Sequence, residues 1–137
     1  MKKIFNLIFI VLIFLLTGCR SDYNYDFNKL VNNVEKIEII ELNYPQSENE
    51  ATILYTLDSE ENNEILSDLS KIKFEYPFGD PPTMDGYSIR IFYKNQEYEV
   101  IAQRGTKRYS KEGKEIAWYK RQCSKEDFDN LISKYIN

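Results

Sequence analysis

Histidine is absent from the 137 residues. With it goes the commonest general base and the commonest ligand for transition metals. Cysteine occurs twice, too rarely for a four-thiolate zinc site or a disulfide-built scaffold. Neither an internal repeat nor a low-complexity tract is present. Long hydrophobic runs are missing too. The longest, Ile4 to Leu16, is 13 residues broken only by Asn6, against the roughly 20 that a membrane-spanning helix needs. Nucleophilic catalysis would therefore have to draw its base from Lys or a carboxylate, and no such set stands out. Partners of a glycosidase-type carboxylate pair can lie far apart in sequence, but the acidic residues here sit mostly at helix starts and on solvated strand faces.

Aromatic residues are plentiful, at 15% of the chain, and argue for a packed core over disorder. The length suits one domain. The net charge is −4, unevenly placed. Asp22 to Asp85 holds 15 acidic residues against 4 basic, whereas Gly86 to Asn137 holds 11 basic against 7 acidic. An acidic chain of this kind is not a general nucleic-acid binder.

The N-terminus carries the most specific motif. Lys2 and Lys3 precede the 13-residue apolar run, which has the length of a signal-peptide core. Leu16-Thr17-Gly18-Cys19 follows and resembles the lipobox of bacterial lipoproteins. The competing reading is a plain N-terminal anchor with a Cys by coincidence. The resemblance implies that residues 1–18 are removed as a signal peptide. Cys19 then receives a diacylglyceryl group and becomes the first residue of the mature chain. Lipidation fixes the protein to the cell membrane on its extracytoplasmic face, and several acyl chains hold far better than one, at about 0.8 kcal/mol per buried methylene. Residues 19–28 are expected to be the lipidated Cys and a tether, and 29–137 a single α+β domain.

Spacing predicts the elements of that domain. Phe27, Leu30, Val31 and Val34 suit a short helix capped by Asp26. Lys36–Asn43 and Ala51–Leu57 read as a hairpin of two strands. Asp58 with Glu61 forms a capping box ahead of a helix ending near Lys71. Lys73–Phe78 is expected to be a strand, followed by an irregular Pro81-Pro82 loop. Tyr87, Ile89, Ile91 and Tyr93 alternate with polar residues and pair through an Asn95-Gln96 turn with Tyr98–Ala102. Another hairpin turns at Gly113-Lys114, and Ser124 caps a last helix whose inner face is Phe128, Leu131, Ile132, Tyr135 and Ile136. The sum is an antiparallel meander sheet of about five to seven strands, with two or three helices packed on one face.

The Ile89–Tyr93 strand, the Asn95 and Gly113-Lys114 turns, and Trp118-Tyr119 ahead of the Phe128–Leu131–Ile132 helix resemble small globular lipoproteins of Gram-positive bacteria. That resemblance lends no catalytic residue. It implies a non-catalytic binding or accessory module for an envelope component or partner protein. The alternative is a protective or inhibitory lipoprotein, of the immunity or phage-exclusion type, that binds a foreign protein. Its acidic half would suit a basic target.

Candidate ligand residues surround the irregular loop: Tyr76, Phe78, Asp80, Met84, Asp85 and Tyr87, with Trp118. The competing reading is that these rings complete the core. Asp80 and Asp85 beside Glu75 could hold a hard cation, yet the spacing fits no calcium loop, so no metal and no cofactor is expected. Arg104, Lys107, Arg108, Lys111 and Lys114, with Lys120 and Arg121, form a basic hairpin that could face an anionic surface, or be a solvated, edge-protecting face. Cys123 is expected to be buried in a monomer, with an intermolecular disulfide as the alternative.

Overall fold

The computed structural model describes residues 23–43, 50–77 and 79–137. Asp58 organises the first helix, α1 (Ser59–Lys71). Its carboxylate accepts the N–H groups of Glu60 and Glu61 at 2.9 Å, and Glu61 Oε2 accepts the Asp58 N–H at 2.9 Å. Both halves of the capping box expected from sequence are thus formed, which satisfies donors that a helix start leaves orphaned. Ser124 does the same for α2 (Lys125–Ile136) by accepting the Asp127 N–H at 3.1 Å. Ile65, Leu66 and Leu69 line the inner face of α1, and Phe128, Leu131, Ile132 and Tyr135 that of α2.

Six strands form one antiparallel sheet: β1 (Val34–Leu42), β2 (Thr52–Thr56), β3 (Gly86–Tyr93), β4 (Tyr98–Ala102), β5 (Gly105–Tyr109) and β6 (Glu115–Tyr119). Their spatial order is β2-β1-β3-β4-β5-β6. The fold is α+β, as expected. β3 to β6 run as a meander, while α1 carries the chain back from the edge strand β2 so that β3 pairs on the other side of β1.

Side-chain alternation gives the sheet two apolar faces. Ile37, Ile39, Ile89, Ile91 and Ile101 meet both helices on the first, with Phe27, Leu57 and Phe74. Ile40, Leu42, Val100, Ala102, Tyr98 and Tyr109 form a second cluster on the reverse face, completed by Met84. Burial alternates through residues 81–85, where Pro82 and Met84 are buried and Pro81, Thr83 and Asp85 exposed. A Cβ on Gly105 would lie 2.4 Å from the Pro82 ring. The Pro-Pro loop is therefore seated on the reverse face, and β5 needs glycine where the ring lies against it.

Three local expectations are corrected. The helix at Phe27 is a single 3₁₀ turn, Phe27–Leu30, after which Val34 already opens β1. Asn28, Asn32 and Asn33 weaken helix propagation there. The strand expected over Lys73–Phe78 reduces to two isolated bridges, Tyr23–Phe74 and Glu75–Gln122. Pro77 supplies no N–H with which to extend the ladder. Tyr23 to Asn28, expected as tether, is docked on the domain. Tyr23 exchanges backbone hydrogen bonds with Phe74, Asn24 Nδ2 donates to Ile72 O at 3.0 Å, and the Phe27 N–H donates to Ser70 Oγ at 2.9 Å.

Candidate functional site

β4 is buried along its whole length, yet its second residue is Glu99, only 8% exposed. Strand periodicity and register place it on the helix-side face, between Ile91 of β3 and Arg108 of β5. A cleft of about 540 Å³ opens there. Strands β4 and β5 contribute Glu99 and Arg108 to its lining. The end of β3 and its turn contribute Tyr93, Lys94 and Asn95. Tyr25 and Asn33 come from the N-terminal segment, and Tyr119 and Arg121 from the end of β6.

Charges in the cleft are unequally matched. The Tyr93 hydroxyl donates to Glu99 Oε2 at 2.9 Å. Burial first, and then the Glu99 charge, raises the Tyr93 pKa well above the usual tyrosine value, so the phenol stays a donor. Arg108 donates to Glu97 Oε2 from Nε at 3.0 Å and Nη2 at 2.5 Å, and its Nη1 stands 3.8 Å from Glu99. Arg121 is different. It is 9% exposed, its Nε has no acceptor, and it makes no ion pair with any described residue. Its guanidinium lies 4.3 Å from the Tyr25 ring centre and 4.8 Å from that of Tyr119. It also acts on the Tyr76 hydroxyl, by hydrogen bonding first and then by charge, and on that of Tyr23. Two rings stabilise a cation but do not neutralise it.

The residues proposed from sequence around the loop are not gathered into this cleft. Met84 is buried in the reverse-face cluster. Tyr76 is exposed and stacks on Tyr23 at 4.5 Å. Tyr87 opposes Glu41 on the helix-side face, whereas Trp118 opposes Lys107 on the reverse face, and both are exposed. Asp80 and Asp85 are exposed. Phe78 and Cys19 lie outside the described residues.

The basic hairpin is likewise divided by strand alternation. Arg108 points to the helix side and Lys107 to the reverse side, where it pairs with Glu115 at 3.1 Å. Lys111 stands 3.8 Å from Glu112 at the turn, and Arg104 and Lys114 are exposed. Sequence reasoning missed Glu99, Tyr93 and Tyr25. A lone carboxylate inside an apolar strand was the available signal. It also passed over Ser70-Lys71-Ile72-Lys73, a Ser-x-x-Lys spacing. The Ser70 hydroxyl donates to Leu66 O at 2.8 Å and accepts from Phe27, which ties α1 to the N-terminal turn.

Among the described residues, no group of three or more Cys, Asp or Glu is placed to hold a metal ion, and no helix is long and apolar enough to cross a membrane. No family model, curated protein or solved structure matches the chain.

Proposed function

We propose that this chain is a lipid-anchored binding module of the extracytoplasmic membrane face, without catalytic activity of its own. The observation that carries this reading is the cleft at Arg121, a built recess whose wall holds a buried cation with no ion pair among the described residues. Arg108 is held in place by Glu97, and Tyr93 by Glu99. Such fixed side chains suit recognition of an envelope component or partner. The lipobox supports the anchor. Tyr23 is docked on the domain, and the four residue steps from Cys19 to Tyr23 span at most about 14 Å. An acylated Cys19 would hold the domain close to the bilayer surface.

Radiolabelled palmitate fed to cells expressing the chain is expected to mark it, and Cys19→Ser is expected to abolish the label and retention in the membrane fraction. An unlabelled product, or a Ser variant that stays membrane-bound, would refute the anchor.

The edge strand β2 favours a second reading, that the module docks on another protein. All five of its residues are exposed, including Ile53, Leu54 and Tyr55. An open apolar edge of this kind can accept a partner strand. For the protective type of lipoprotein, cross-linking to an invading protein should fall when Ile53 is replaced by Lys, and should be indifferent to changes in the cleft.

A further inference from the structure

We propose that the cleft binds a monoanionic oxyanion, a carboxylate or a phosphodiester, on the Arg121 guanidinium. This deepens the binding reading above and rests on it. The charge count leads there. Lys94, Arg108 and Arg121 line the recess with Glu99, and Glu97 accepts from Arg108. Three cations against two carboxylates leave one positive charge in excess. Arg121 is the cation of the set that is buried and has no acidic partner among the described residues.

A buried guanidinium ordinarily finds a carboxylate, because desolvation of the charge is otherwise uncompensated. Here the Tyr25 and Tyr119 rings lie against it. The Nε of the planar fork has no acceptor among the described residues, and an oxyanion placed there would accept the hydrogen bonds that arginine donates. Lys94 and Asn95 at the mouth add a second cation and an amide. Glu99 bars a second negative charge from the inner end. One anionic group on a polar body fits this arrangement, and a dianion does not.

The ligand chemistry has two sources near a bilayer, a uronic-acid sugar or a phosphodiester headgroup. The full-length chain in neutral detergent micelles is titrated calorimetrically with glucuronate, with glycerophosphoglycerol and with uncharged glucose. Binding of either anion with a Kd of about 1 mM or tighter is expected, with none of glucose. Which anion binds identifies the source. Arg121→Met is expected to weaken binding by at least about tenfold while the thermal transition persists, and Lys94→Ala by a few-fold. Should the Met variant fail to fold, the Nε–Hε proton of Arg121 in the wild-type chain decides by NMR. A shift on adding anion supports the site, and a fixed resonance overturns it. Absence of binding by both anions, or equal binding by a folded Met variant, also overturns it. A palmitate-labelled chain that ignores both anions would sink this inference and leave the anchored module standing. Anion binding by an unlabelled chain would do the reverse.

Discussion

Arg90 reaches across from β3 and donates to the same oxygen of Glu38 on β1 twice, from Nε at 2.9 Å and Nη2 at 2.6 Å. Lys36 holds the other Glu38 oxygen at 2.7 Å. The carboxylate is 4% exposed and the guanidinium 11%. Next to them, Phe92 carries Lys36 and Arg90 over its ring. The pair pins the central strands in register on the face away from the helices.

That arrangement fixes how stability depends on pH. Burial pushes the Glu38 pKa up, but the hydrogen bonds from Lys36 and Arg90 outweigh it and the net shift is downward. A carboxyl whose pKa is lower folded than unfolded adds stability at pH above the unfolded value. The contribution disappears as pH falls through the folded value. Glu38→Gln is expected to cost about 2 kcal/mol at neutral pH, the scale of a hydrogen bond to a charged group. It should also flatten the loss of stability on acidification. Urea unfolding midpoints from pH 7 down through the carboxylate range check both. A variant with the wild-type acid slope would mean that another group governs it.

Gly105 and Pro82 give a second test. The glycine is required by the ring against it, since a Cβ would meet Pro82 at 2.4 Å and the Tyr119 carbonyl at 3.1 Å. A proline ring has little room to yield. Gly105→Ala is expected to destabilise by about 1–3 kcal/mol through overpacking. Pro82→Gly in the same chain, which removes both the Cβ and the Cγ that the new Cβ would meet, should recover part of that loss. Chemical denaturation of the two single variants and the double variant forms the cycle, and simple additivity would show that the two sites do not touch.

Local chemistry made much of this fold legible in advance. Asp58 with Glu61, Ser124, and the alternation from Tyr87 to Tyr93 each act through a few neighbouring residues, and each appears as expected. Strand order was not legible, because the pairing of β1 with β3 depends on where α1 returns the chain. Nor was the cleft. Tyr25, Glu99 and Arg121 are brought together by three separate segments, and only the docking of the N-terminal residues closes the recess. Lys73 to Phe78 looked like a strand by composition. Pro77 and the lack of a continuous neighbour left it two bridges instead.

Met84 separates a packing role from a ligand role. It sits in the cluster behind the sheet with Tyr98, Val100 and Tyr109, and is 7% exposed. Met84→Ala should cost about 2–5 kcal/mol, as expected for a large side chain removed from a core. Binding of the anions proposed for the cleft should stay unchanged. A stability loss within about 0.5 kcal/mol, typical of surface positions, would contradict the core assignment.

Cys123 is 5% exposed, and its backbone is tied to Gln103 on both sides. The Cys123 N–H donates to Gln103 O at 3.0 Å, and Gln103 Nε2 donates to Cys123 O at 2.6 Å. Burial first, and then the neighbouring Asp127 carboxylate, push the thiol pKa up to about 12. Thiolate is the reactive form, so a protonated, covered sulfur is inert to alkylation and to disulfide exchange. Iodoacetamide at pH 8 is expected to leave the folded chain unmodified at Cys123 and to label it fully in denaturant. Mass spectrometry of the peptide spanning Gln122 to Lys125 reads the outcome. A dimer lost on reduction of a Cys19→Ser chain would require Cys123 to reach the surface, which the Gln103 contacts oppose.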